Sequence, residues 1–365
     1  MDQEFSRLLK GGSNMKRVIV VLCSTVLIMG MGWRPPEPPV VPQTIKEIVQ
    51  QEYPDGNVKI GVNLKSTDCE ELINKEFDHL TSGIVFKQVS IHPSPGVYDF
   101  SKINYLMTNA DEYNQTVSMH SPIGPQCSTW AKDDNRTPEE LEINLHEFLQ
   151  AIAPYSYYSN VLYQEVVNET IDDGVWFGPK IGNDQWENPW YTIGLDSDGT
   201  PSYIRMAFAD AMQYSSPFCK LVWNQHTDDS IASWRLLLST VARLKAEGYR
   251  IDAIGWQGHV DVGWEANLPY LRQIIEQVQA MGMDFIVTEM DVFIKNGESL
   301  EAQAATYKAI IETVLEYRNA GVVGVSFWSV SDKCSWRYYW YPGLFDENEV
   351  PKPAYHSVQD ALLGR

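Results

Sequence analysis

The chain is short of positive charge. Its 28 lysines and arginines stand against 48 aspartates and glutamates, a formal net charge of −20, which repels a phosphate backbone and excludes a nucleic-acid reader. Cysteine is sparse as well. Cys23 falls in the N-terminal segment, and Cys69, Cys127, Cys219 and Cys334 lie far apart with no metal-ligand spacing. Neither a structural metal site nor a disulfide framework is therefore expected. No glycine-rich loop follows the first strand candidate, where the chain reads Leu64-Lys65-Ser66-Thr67-Asp68, so the phosphate cradle of an open doubly wound sheet is missing. Internal repeats and low-complexity tracts are absent from residue 46 onward.

Long apolar runs are nearly absent too. The exception, residues 18–31, follows Met15-Lys16-Arg17 and matches the charged and hydrophobic regions of an export leader. It is shorter than the roughly 20 residues of a spanning helix. Five prolines between Pro35 and Pro42 exclude helix and central strand and read as an extended linker. The expected organisation is an N-terminal extension with a signal peptide or anchor over 1–34, a proline-rich linker over 35–45 and one catalytic domain over 46–365. The domain is expected outside the cell as a monomer, with membrane attachment only if the apolar segment is retained.

Twelve tryptophans and nineteen tyrosines are abundant in 365 residues. Most belong in a core, but flat rings with a polar edge also suit sugar faces. From residue 58 onward, short β-branched runs alternate with longer amphipathic stretches. Strand candidates are residues 58–63, 84–89, 116–120, 161–168, 220–224, 254–257, 284–289 and 322–328. Helix candidates include 231–247, 268–281 and 302–318, with apolar residues three or four apart. Another starts at Thr137-Pro138-Glu139-Glu140, where a capping hydroxyl, a first-turn proline and a glutamate three residues after the cap coincide. Eight strands buried on both faces, each followed by a crossover, close most economically as a (β/α)8 TIM barrel.

In such a barrel the residues finishing each strand gather at one mouth. The fourth candidate finishes Asn168-Glu169 and the seventh Glu289-Met290-Asp291. A lone strand-ending Asn-Glu more often caps a helix, but two strand-end glutamates supply the acid and the carboxylate that glycosidic bond cleavage needs. The sixth candidate ends Gln257-Gly258-His259. A neutral His259 imidazole oriented by Asp291 would donate to Glu289 and keep it ionised while Glu169 stays protonated. After the eighth candidate, Trp328 and Trp336 flank polar loop residues and suit a sugar platform better than a core plug.

These residues resemble glycoside hydrolase family 10, best known for endo-β-1,4-xylanases. The resemblance runs from residue 58 to the C-terminus. It rests on Val166-Val167-Asn168-Glu169, Gly255-Trp256-Gln257-Gly258-His259, Val287-Thr288-Glu289-Met290-Asp291 and the tail Phe327-Trp328, Asp332-Lys333, Ser335-Trp336. It implies Glu169 as acid/base and Glu289 as nucleophile of a retaining hydrolase that needs no cofactor and no metal. It implies Asn168 on a sugar hydroxyl, His259 and Asp291 in support of Glu289, and Lys87, His120, Asn224, Gln257, Trp328 and Trp336 as substrate-binding groups. The first half departs from the pattern. Where the family carries Glu-Asn before a lysine, the chain has Gly83-Ile84-Val85-Phe86 with Lys87 alone retained, and Ser121-Pro122-Ile123-Gly124-Pro125 after His120 replaces a Trp and a second His.

The polysaccharide partner is then xylan or a related β-glycan. A non-catalytic carbohydrate-binding barrel is opposed by the intact Glu169, Glu289, His259 and Asp291 set. A metal-dependent barrel hydrolase needs two or three strand-end histidines with carboxylates, and only His120 and His259 qualify.

Overall fold

The computed structural model describes residues 43–64, 67–132, 135–179, 187–226 and 230–365. The expected leader and nearly all of the linker lie outside the described residues. The Thr44 side chain accepts from the Glu47 N–H while the Glu47 carboxylate accepts from the Thr44 N–H. That capping box starts α1 (Ile45–Glu52), with Ile45 buried, so the last residue of the expected linker already belongs to the folded domain.

Eight strands form the barrel wall: β1 (Val58–Asn63), β2 (His79–Thr81), β3 (Thr116–Met119), β4 (Val161–Asn168), β5 (Lys220–Gln225), β6 (Ala253–Trp256), β7 (Asp284–Phe293) and β8 (Val323–Phe327). All neighbours pair in parallel in the order β8-β1-β2-β3-β4-β5-β6-β7, and β7 pairs with β8 to close the ring. The fold is the expected (β/α)8 barrel. Between the strands run α2 (Glu70–Glu76), α3 (Gln88–Ile91), α4 (Ser101–Glu112), α5 (Pro138–Ile152), α6 (Ser202–Tyr214), α7 (Ile231–Ala246), α8 (Leu268–Ala280) and α9 (Leu300–Leu315), and α10 (Pro353–Leu363) ends the chain. Among the described residues no helix is long and apolar enough to cross a membrane.

Local chemistry accounts for these elements. Every residue of β7 is buried, as a strand packed on both faces requires. Thr137 and Glu140 form the capping box of α5 with Pro138 in its first turn, and Leu141, Leu145, Phe148, Leu149 and Ile152 recur on its buried side. The second strand differs from expectation. The β-branched run 84–89 forms a turn leading into α3, whereas the polar-looking triplet His79-Leu80-Thr81 is the strand. Its histidine is satisfied inside the barrel, Nδ1 against Thr116 Oγ1 at 2.8 Å and Nε2 against Ser118 Oγ at 2.9 Å. Val85 and Phe86 bury their side chains from the turn instead, an ambiguity inherent in short apolar runs.

The cysteine expectation is also corrected. Cys69 and Cys334 form a disulfide across 265 residues of sequence, with Cα atoms 6.4 Å apart. Closure of the sheet makes β1 and β8 neighbours, so the loops after them lie side by side despite their separation along the chain. Cys127 and Cys219 are free and buried.

Candidate active site

β4 delivers Asn168 and Glu169, but a plain strand would point them to opposite faces. Glu169 instead takes φ 54°, a left-handed backbone that costs about 1–2 kcal/mol for a residue with a side chain. Gln225 at the end of β5 holds it there. Its Oε1 accepts from the N–H groups of Thr170 (2.8 Å) and Ile171 (3.1 Å), while its Nε2 donates to the Ile171 carbonyl at 2.7 Å. The kink brings both side chains to one partner, Gln257, whose Nε2 donates to Glu169 Oε1 at 2.8 Å and Asn168 Oδ1 at 3.3 Å.

β4 and β7 are three strands apart, and Asn224 of β5 spans the gap. Its Nδ2 donates to Asn168 Oδ1 and to Glu289 Oε1, both at 2.9 Å, and its Oδ1 accepts from Thr288 Oγ1 at 2.6 Å. Gly255 lies opposite Asn224 in the sheet. A Cβ there would come within 2.5 Å of Asn224 Oδ1, so glycine at this position leaves room for the carboxamide. Beyond β6, residues His259–Asp261 pair with the upper end of β7 and set His259 beside Asp291.

His259 lies between two carboxylates, Nε2 3.4 Å from Glu289 Oε2 and Nδ1 3.4 Å from Asp291 Oδ2. The neutral imidazole expected from the sequence does not hold. Burial disfavours its charge, but Asp291 and Glu289 outweigh burial and raise its pKa to about 9. The imidazolium in turn acts on Glu289. Burial pushes that carboxyl up, yet His120, His259 and Lys87 together hold it down to about 2, so Glu289 is a buried anion. Asp291 is pushed up by burial, against bonds from His259 and Trp336.

The remaining expected residues converge here too. His120 Nδ1 bonds Glu165 Oε2 at 2.6 Å, and its Nε2 lies 3.8 Å from Glu289 Oε1. Lys87 Nζ donates to Gln126 Oε1 at 2.7 Å. The Trp328 ring centre is 4.9 Å from His120 and 6.2 Å from His259. Trp336 donates its indole N–H to Asp291 Oδ2 at 2.8 Å. Three members were not foreseen: Gln225, Thr288 and Glu165. The two-residue period from Val167 puts Glu165 on the same face of an ideal strand, but a register irregularity between Glu165 and Val167 intervenes. The acidic residue inside an apolar run was the available signal. His120, Glu165 and Glu289 have the composition of a cation site, but their ligand atoms already engage one another and Asn224.

A family model described as "Glycosyl hydrolase family 10" matches residues 45–361. The chain belongs to that family. As a family 10 member it is a glycoside hydrolase, and its similar proteins agree. It is 28% identical to a beta-1,4-xylanase of Dictyoglomus thermophilum over 94% of this chain and 99% of that protein. It is also 28% identical to endo-1,4-beta-xylanase B of Thermotoga neapolitana, over 80% of this chain and 82% of that one. Among solved structures, native xylanase 10B of Thermotoga maritima superposes with a TM-score of 0.75 at 26% identity, covering 88% of this chain and 98% of that chain. Xylanase 10B of Thermotoga petrophila RKU-1, solved with xylobiose, gives 0.75 and 26% over 89% and 98%.

Proposed function

We propose that the protein is a retaining endo-β-1,4-xylanase in which Glu289 is the nucleophile and Glu169 the acid/base. The observation carrying this reading is the placement of Glu289: a buried carboxyl with Asn224 Nδ2 at 2.9 Å on one oxygen and His259 Nε2 at 3.4 Å on the other, surroundings that hold its pKa down to about 2. Such a carboxylate is poised to attack an anomeric carbon. Glu169 Oε1 accepts from Gln257, which fixes its carboxyl at the end of β4.

In the first step Glu289 bonds to the anomeric carbon as the glycosidic bond breaks, and Glu169 gives its proton to the departing oxygen. In the second, Glu169 takes a proton from water, which displaces Glu289 and restores the configuration. The carboxamide Nδ2 of Asn224 stays on Glu289 and helps fix its angle of attack. Xylan is the favoured polymer because the relatives are named for it. The missing Glu-Asn and Trp-His groups shift recognition on the β2–β3 side without touching the two glutamates. We also read residues 15–31 as an export leader, which brings the enzyme to a polymer outside the cell.

Hydrolysis of xylan, arabinoxylan, mixed-linkage glucan and an aryl xylobioside by the full chain, with the first anomer followed by NMR, tests this. Release from the xylans with the β anomer appearing first is expected. Release from glucan alone overturns the substrate, and the α anomer first overturns double displacement.

A further inference from the structure

Aromatic rings continue outward from the candidate active site along the loop after β8. Ring centres run from His259 to Trp336 (5.2 Å), Trp336 to Phe293 (6.3 Å), Phe293 to Trp340 (5.2 Å), Trp340 to Tyr339 (4.9 Å) and Tyr339 to Tyr338 (5.4 Å). The inner members are buried or half-buried, while Tyr338 and Tyr339 are 65% and 45% exposed. Resting on the glycan-hydrolase reading above, we propose that Tyr338 and Tyr339, set edge to face and backed by Trp340, form a distal platform for neutral sugar units that extend beyond the catalytic cleft.

Three observations support it. First, the rings are continuous with the cleft. Between His259 and Lys295 lies a cavity of about 420 Å³, also lined by Asp261, Trp264 and Asn267, a size typical of ligand clefts. Lys295 Nζ sits 4.6 Å from the Trp340 ring centre, so the cavity adjoins the platform. Its lining offers donors and acceptors to hydroxyls, and the tyrosine rings offer flat apolar faces with polar edges.

Second, the loop is held rigidly although its rings face water. The Trp340 carbonyl accepts from the Ile294 N–H at 2.9 Å. The Tyr341 carbonyl accepts from Gln303 Nε2 at 2.6 Å and from buried Lys352 Nζ at 2.7 Å. Four residues before Tyr338, Cys334 is tied to Cys69. Tyr341 keeps φ 50°, an uncommon conformation for a bulky residue that persists only when its surroundings impose it. Rings ordered in advance lose less freedom when a ligand lands on them.

Third, the cations on the patch are occupied. The Arg337 guanidinium lies 4.3 Å from the Trp336 ring centre and donates to the Tyr339 hydroxyl at 2.7 Å. Lys295 pairs with Asp261 at 2.7 Å. Lys295 and Arg337 also cover the Trp340 ring, 4.6 and 5.3 Å from its centre, so the ring faces and hydroxyls left toward solvent are those of Tyr338 and Tyr339, which fit an uncharged sugar better than an anion.

The test is a Tyr338→Ala, Tyr339→Ala double variant of the full chain, with Tyr339→Trp as the ring-retaining control and thermal unfolding as a check of the fold. The double variant should lose about tenfold in kcat/KM on xylohexaose and stay within twofold on an aryl xylobioside, with Tyr339→Trp near wild type. Equal losses on both substrates, or none on either, overturn the platform. Affinity electrophoresis in gels holding xylan or mixed-linkage glucan separates this question from the choice of substrate. Retardation of the parent that weakens in the double variant on any of these glycans supports the platform even if xylan is not cleaved. Identical mobility of the two proteins in every gel overturns it.

Discussion

On the β4–β7 side of the barrel mouth the polar groups are tied to one another. Asn224 joins Asn168 to Glu289, Gln257 joins Asn168 to Glu169, and His259 stands between Glu289 and Asp291. The β2–β3 side has the opposite character. Residues 83–87 form a turn that buries Val85 and Phe86, and Lys87 reaches Gln126 across the gap. The contrast teaches where each kind of constraint operates. On the function proposed above, the β4–β7 groups handle charge at the bond being broken and must be fixed by several partners at once, because a misplaced buried charge is costly. Groups that merely grip a distant sugar contribute about 0.5–1.5 kcal/mol each, so their loss can be tolerated.

The comparison can be broken most directly at Glu289. Glu289→Gln keeps the shape and removes the anion, and kcat on an aryl xylobioside should fall by about 10⁴-fold or more. Turnover near wild type would show that the β4–β7 network does not serve catalysis. A pair of truncations sharpens the contrast between the two sides. Asn224→Ala, which takes a donor from Glu289, should lower kcat/KM by about 10²-fold, whereas Gln126→Ala, which frees Lys87, should cost no more than about threefold. Equal losses would mean that the two sides are constrained alike.

The smallest effect concerns charge. Because the His259 pKa in the fold is raised to about 9 from an ordinary 6.5, its protonated form stabilises the protein fully below pH 6.5, and that contribution disappears as pH rises through 9. The melting-temperature gap between wild type and His259→Gln should therefore be a few degrees at pH 6 and shrink toward pH 10. A gap that widens with pH would show a neutral imidazole. Glu289 runs in the opposite sense: its contribution is present above pH 4.5 and fades as pH falls through about 2.

Much of this was legible in the chain. Thr137, Pro138 and Glu140 announced α5 because caps are local chemistry, and the apolar spacing of residues 231–247 and 268–281 announced α7 and α8. Asn168, Glu169, Glu289 and Asp291 could be read because strand ends meet at one mouth once the barrel is assumed. Other residues could not be read this way. The strand at His79 depends on hydroxyls contributed by β3, and the pairing of Cys69 with Cys334 depends on ring closure. Gln225 looks like any polar strand end until Glu169 is seen to turn left-handed beside it.

By itself the sequence determined the alternation of strands and helices, the barrel class and the position of two glutamates at strand ends, since these follow from periodicity, capping and short local motifs. Only the tertiary structure decided the charge on His259, the left-handed turn at Glu169 and the ring path to Tyr338. Each depends on distances between strands far apart in the chain, and electrostatic and packing energies are set by those distances, not by order along the sequence.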